Sequence, residues 1–240
     1  MTLMVLYTPP YVLALLCFFW LPAKQRRRLA MPWVHIAMAL IRHVLGIRHR
    51  VLGTENIPAG PCVVLAKHQS AWETIALQVI FPDTIFVLKK ELHWLPFFGW
   101  ALAMMPFIAI NRSSAKEALR QVAKQGKTRL GEGYRVIIFP EGTRVAPGES
   151  RPFKGGGAFL AARAGVPVSP VALNSGECWR RQAFLKTPGT VTVSIGPAID
   201  PAGLSTEDIN SRAEAWIEAE MRRISPQYHG QENTPACAAP

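Results

Sequence analysis

Seven short runs of apolar and β-branched residues, at 48–52, 62–66, 84–88, 107–110, 135–139, 168–173 and 191–195, constrain this 240-residue chain more than any other feature. Each has the length of one strand, and stretches with helical spacing separate several of them. Residues 115–131 read as a helix opened by a capping box, Ser114-Ala-Lys-Glu117. A second helix is expected at 155–164, beginning with three glycines. A third, at 206–224, places Ile209, Ala213, Trp216, Ile217, Met221 and Ile224 on one stripe. This alternation predicts an α/β fold, with a mixed, largely buried sheet flanked by helices over residues 47–225. Residues 226–240 lack periodicity and are expected to form a disordered tail.

The first 46 residues have a different character. No charged side chain precedes Lys24, and the first acidic residue is Glu55. Seven basic residues fall before it, so most of the net charge of +11 sits at this end. An apolar run ending in Lys24-Gln-Arg-Arg-Arg28 fits a membrane-embedded segment that stops at an anionic surface. The order, apolar before basic, argues against a secretory signal. Pro9-Pro10 leaves an uninterrupted helix of about 18 Å, against a bilayer core of about 30 Å. A second helix is expected from Pro32 to near Gly46. Residues 1–46 thus read as a membrane-anchoring helical hairpin on the cytoplasmic face, with Trp20 and Trp33 near the headgroups. A transmembrane helix over residues 3–22 is the alternative. A further uncharged stretch, 92–110, is broken by Pro96, Gly99 and Pro106 and reads as a loop and short helix. Core filling is the expected role of Trp94, Phe97, Phe98 and Trp100, with a substrate cavity as the other reading.

The four cysteines are scattered, without a C-x-x-C pair or a histidine at ligand spacing, so neither a disulfide framework nor a metal site is expected. His68 is the histidine placed for chemistry. It follows a buried strand, stands among Lys67, Gln69 and Ser70, and leads into a helix. Ligands bind beside such strand ends in α/β sheets. Glu73, five residues on, reaches His68 only from the first helical turn; it would then fix the imidazole tautomer and leave the other nitrogen as a general base. A histidine there also serves as a cap or packing residue. Pro140-Glu141-Gly142-Thr143-Arg144 turns out of the strand at 135–139 and puts Glu141, Thr143 and Arg144 at the same edge. Arg144 and Arg112, at another strand end, suit a phosphate. Lys154 precedes glycines that open a helix able to receive an anion, or simply to pack closely.

His68-Gln-Ser-Ala-Trp-Glu73, Phe107-Ile-Ala-Ile-Asn-Arg112, Phe139-Pro-Glu-Gly-Thr-Arg144 and Val166-Pro-Val-Ser-Pro-Val171 occur in that order. They resemble the four motif blocks of the 1-acylglycerol-3-phosphate acyltransferase family, over roughly residues 30–200. The resemblance implies transfer of a fatty acyl group from a thioester, acyl-CoA or acyl carrier protein, to lysophosphatidic acid, giving phosphatidic acid. It implies His68 as the base and Glu73 as its partner, in a position where the family usually has Asp, in an HX4E arrangement. It implies Arg112 and Arg144 on the acceptor phosphate, Glu141, Gly142 and Thr143 shaping that pocket, and Lys154 as an additional phosphate contact. Lys67 stands where Asn is commoner. A thioester is already activated, so no cofactor or metal is expected. Anionic membrane lipid is an expected partner and nucleic acid is not. Rival readings are the same chemistry on glycerol 3-phosphate or a lyso-aminolipid, or a non-catalytic basic module that binds membrane or nucleic acid.

Overall fold

The structure is a computed structural model that describes residues 2–111 and 114–231. Seven strands form one sheet: β1 (Ile47–Leu52), β2 (Val63–Ala66), β3 (Thr84–Lys89), β4 (Ile108–Ile110), β5 (Arg135–Ile138), β6 (Val168–Leu173) and β7 (Gly189–Ile195). Their spatial order is β1-β7-β6-β2-β5-β3-β4. Every neighbouring pair is parallel except β6 and β7, which are antiparallel. The sheet is therefore mixed, and the carboxyl ends of β2, β3, β4, β5 and β6 share one edge.

Both faces are covered, as the continuous apolar runs require. Val63 and Leu65 of β2 point into a core with α5 (Ala115–Gly131), α6 (Gly156–Ala164) and α8 (Thr206–Ile224). Val64 and Ala66 point the other way, toward α2 (Ala23–His43) and α3 (Glu73–Ile80). The chain leaves β2 into α3 on one face and leaves the adjacent β5 toward α6 on the other. Connections that diverge in this way open a crevice at the carboxyl edge between the two strands.

The expected helices at 115–131 and 206–224 appear with those bounds. The capping boxes are distributed differently. Ser114 accepts from the Glu117 amide, but the Glu117 carboxylate turns to Gln121, so that box is half made. The reciprocal box forms at Ser205 and Asp208. The glycines that open α6 are also distinct from one another. A Cβ on Gly157 would lie 2.4 Å from a Leu65 methyl, so this glycine lets the helix approach the sheet.

The N-terminal segment is a helical hairpin whose parts differ from expectation. Helix α1 (Thr2–Leu16) runs through Pro9 and Pro10, and α2 starts at Ala23 rather than Pro32. The Tyr11 hydroxyl donates to the Leu29 carbonyl and the Trp33 indole to Thr8, which fixes the two helices side by side. No helix among the described residues is long and apolar enough to cross a membrane. Nor does residue 46 separate an anchor from a domain. Val34, Ala37 and Ile41 of α2 are buried, Ile41 inside the core cluster of α3, and Arg27 is buried with a bond to Thr84 at the start of β3. The basic cluster is thus split between structure and surface.

In the uncharged stretch, α4 (Phe98–Met104) packs beside α1, but Trp94, Phe98 and Trp100 are exposed rather than filling the core. The tail expected to be disordered from residue 226 begins as a 3-10 helix, Pro226–Gln231, with Tyr228 buried. Residues 232–240 lie outside the described residues. Cys17, Cys62 and Cys178 are free thiols, and burial pushes that of Cys62 up to about 11.

The Gly157 contact makes a direct test of packing against anion binding. Gly157→Ala should destabilise the protein by about 1–3 kcal/mol through overpacking, read as a lower urea midpoint with an unchanged slope. An unchanged midpoint would mean the close approach is not required.

Candidate active site

His68 stands two residues beyond the last residue of β2, at the carboxyl edge of the sheet. Its Nδ1 lies 2.6 Å from Oε2 of Glu73, the first residue of α3. The Glu73 side chain is fully buried, a costly place for a carboxylate unless donors surround it. They do. Oε1 accepts the amide hydrogens of Gln69 (2.8 Å) and Ser70 (2.7 Å) and the hydroxyl of Ser175. The glutamate, one methylene longer than the expected aspartate, therefore spans the distance from the helix start back to the ring. The imidazole itself remains 14% exposed, so it is reachable from outside. One ring face stacks on Phe139, with centroids 3.9 Å apart.

The backbone of His68 is held by the other motif turn. Its amide donates to Glu141 Oε2 (2.9 Å), and its carbonyl accepts from the Val145 amide (2.8 Å). Glu141 sits just past β5, the neighbour of β2, so the pairing of two strands brings the two turns together. The second oxygen of Glu141 pairs with Lys67 Nζ at 2.8 Å, and both side chains are fully buried. Lys67 also reaches Glu218 of α8 (2.7 Å), and its ammonium lies 5.5 Å from the centre of the Tyr228 ring. Burial opposes the Lys67 charge, but the adjacent Glu141 carboxylate outweighs it and holds the lysine above its ordinary range. A buried ion pair keeps its charges only when further partners satisfy them, and here Glu218 and the His68 amide supply those partners.

The expected phosphate contacts are placed unevenly. Gly142 has φ +71°, and the Lys154 side chain lies over it, with Nζ 2.9 Å from where a Cβ would stand. The Lys154 amide donates to the Pro140 carbonyl, which ties the start of α6 to this turn. Thr143 and Arg144 are partly exposed, and the Arg144 carbonyl accepts from Arg181. Arg112 lies outside the described residues. Glu141 departs from the expectation that it binds substrate. Its two oxygens are engaged inside the protein, so it holds the His68 turn rather than facing an open pocket.

Several members of this constellation were not evident from sequence. Ser175 opens the short helix α7 (Ser175–Cys178) directly after β6, the other neighbour of β2. The rule that singled out His68, a polar residue at the carboxyl end of a buried strand, would have found it. Gln69 accepts from the Gly176 amide (3.0 Å) and Ser70 bonds Ser175 (3.0 Å), so β6 is stitched to the same turn. The pairing of Lys67 was not readable locally because its partner Glu218 is 151 residues away.

An accessible imidazole oriented by a buried acid at an open strand edge has the geometry that general-base chemistry requires. The comparisons give the class. The sequence profile described as Acyltransferase matches residues 48–174, more than half of the chain. The chain belongs to the acyltransferase family and, within it, to the 1-acyl-sn-glycerol-3-phosphate acyltransferases. It is 49% identical over 210 residues to the Pseudomonas aeruginosa protein of that name, covering 86% of this chain and 82% of that one. It is 31% identical to the human alpha form over 72% of this chain and 62% of that protein. Its fold matches the crystal structure of the 1-acyl-sn-glycerophosphate acyltransferase of Thermotoga maritima, with a TM-score of 0.76 at 25% identity over 91% of this chain and 90% of that one.

The buried pair generates a stability prediction. Lys67→Met strands two carboxylates and should cost about 3–5 kcal/mol, while Lys67→Met with Glu141→Gln should recover part of that loss. Urea unfolding of the four members of the cycle measures both. A single-variant loss below about 1 kcal/mol would show that the pair carries no such weight.

Proposed function

We propose that the chain transfers a fatty acyl group from an acyl thioester to the sn-2 hydroxyl of 1-acyl-sn-glycerol 3-phosphate, forming phosphatidic acid, with His68 as the general base. The observation that carries this reading is the short contact between His68 Nδ1 and the buried Glu73 carboxylate, beside an imidazole that remains accessible. Nδ1–H donates to Glu73, so Nε2 carries the lone pair. Nε2 takes the proton of the acceptor hydroxyl as its oxygen attacks the thioester carbonyl. The tetrahedral intermediate collapses, the carbon–sulfur bond breaks, and the thiolate leaves with the proton held on the imidazolium. Atoms and charge balance with the carrier as free thiol, and the base is regenerated.

Positioning accounts for the remaining residues. Arg144, Lys154 and Arg112 are proposed to hold the acceptor phosphate, with Thr143 and the Gly142 turn shaping that pocket. Holding both substrates close supplies a large share of the acceleration in such bimolecular transfers. His68→Ala should lower turnover about 10²–10⁴-fold, as loss of a general base does. Glu73→Gln should be severe and Glu73→Asp mild. A thioester-release assay with lysophosphatidic acid and, separately, glycerol 3-phosphate checks these outcomes. Inactivity of the wild type toward lysophosphatidic acid would contradict the acceptor assignment.

The N-terminal hairpin is proposed to seat the enzyme on the cytoplasmic face of anionic membrane without crossing it. At 15 residues, α1 extends about 22 Å, short of a bilayer core. Leu6 and Leu13 on α1, and Phe19 and Trp20 at its exit, are exposed, and the α4 segment beside it exposes Trp94 and Trp100. Arg26 donates to the Phe19 carbonyl, which leaves Lys24 and Arg28 exposed at the same end. Greasy side chains bordered by cations fit an interfacial helix. Because α2 belongs to the core, the test leaves it intact. Phe19→Ser with Trp20→Ser should weaken co-sedimentation with phosphatidylglycerol vesicles more than about tenfold. Unchanged binding would remove this surface from the membrane contact.

A further inference from the structure

Against the helical face opposite the N-terminal hairpin lies a groove of about 660 Å³ between α5 and α6. Lys116, Arg120, Lys124 and Lys127 line one wall and Arg163 the other. All five cations are exposed, and none takes part in an ion pair among the described residues. The floor is apolar, formed by Leu119, Ala123 and Phe159. It exists because α5 and α6 press together below it: a Cβ on Gly126 would meet a Leu160 methyl at 2.5 Å. The Glu117 carboxylate of α5 is occupied by Gln121 instead of compensating the row of cations.

The geometry points to this groove as the docking site for an acidic helix of a protein acyl carrier. The inference rests on the thioester-dependent transfer assigned above and names the donor that this transfer uses. Spacings of four, four and three residues put the α5 cations on one side of the helix over about 17 Å. That distribution suits a rod carrying acidic groups one turn apart, laid in a groove whose floor takes its apolar residues. The phosphates of a nucleotide would call for cations gathered at one point. A bilayer is excluded by shape and by place, since it cannot enter a concave groove and the exposed apolar helix α1 belongs to the other face of the sheet. Unpaired cations of one sign also steer an acidic partner and exclude basic ones.

The groove leads to the site. Helix α5 starts just beyond the carboxyl end of β4, and α6 starts just beyond the turn that follows β5, so both amino ends lie at the catalytic edge. Leu119 comes within 3.8 Å of where a Cβ on Gly156 would stand, two residues from Lys154, whose side chain covers Gly142. A carrier seated along the cations from Lys127 toward Lys116 therefore has its forward end at the turn that holds His68.

The experiment uses the full chain with lysophosphatidic acid in phosphatidylglycerol vesicles and two donors of the same acyl chain, acyl carrier protein and coenzyme A. Lys124→Glu with Lys127→Glu should raise KM for the carrier-bound donor roughly tenfold or more with kcat unchanged, and reduce its salt dependence. KM and kcat for the coenzyme A donor should stay within about twofold, which also shows that the variant folds. Arg163→Glu, on the opposite wall, should act in the same selective way. Equal losses with both donors, or no change with either, would overturn the proposal. Direct titration of carrier protein separates it from the reaction assignment. If the wild type binds the carrier through Lys124 and Lys127 yet acylates no lysophosphatidic acid, the groove stands and the assigned reaction falls.

Discussion

Two buried carboxylates grip the turn that carries His68 from opposite sides. Glu73 comes back from the following helix and holds the ring, while Glu141 comes across from the neighbouring strand and holds the backbone amide. Neither anion could stay in the interior unpaired. The requirement to satisfy them recruits the rest of the local architecture: two amides of the turn and Ser175 for Glu73, and Lys67 for Glu141. Because Lys67 also reaches Glu218, the C-terminal helix is tied to the same point. The strand order β6-β2-β5 is what makes this possible, since it puts the three contributing strand ends side by side.

The same sheet separates two kinds of surface. The hairpin and α3 cover one face, where exposed apolar residues gather on α1, at its exit and along the α4 segment. Helices α5, α6 and α8 cover the other, where the unpaired cations gather. The crevice between β2 and β5 opens at the edge where these faces meet. Under the proposed function, an acceptor held in lipid and a donor carried in water would approach one imidazole from different sides.

Much of the framework was legible because strands and helices announce themselves locally. Helices α5 and α8 carry their own periodicity and start signals, and the apolar runs marked every strand to within about two residues. The HX4E spacing was also local. Long-range pairings were not. Lys67 and Glu218 are far apart along the chain, and nothing in either neighbourhood reveals the other. Helix α2 misled because its amino-terminal turn is basic: Arg27 is buried against Thr84 by tertiary contacts that no local pattern encodes. Prolines 9 and 10 were read as interruptions and Pro32 as a helix start, yet the helices run through all three with packing between α1 and α2 to compensate. The aromatic residues at 94–100 were read as core because such clusters usually are, and their exposure follows from the surface that they share with α1.

The orientation of one imidazole is the point on which the account turns, and nitrogen NMR of the protein labelled in its histidine rings reads it without reference to turnover. With the His68 resonances assigned by comparison with His68→Gln, the neutral ring should show a protonated Nδ1 and a lone pair on Nε2, and Glu73→Gln should abolish that preference. A neutral His68 protonated at Nε2 in the wild type would leave no base facing the acceptor and would contradict the mechanism.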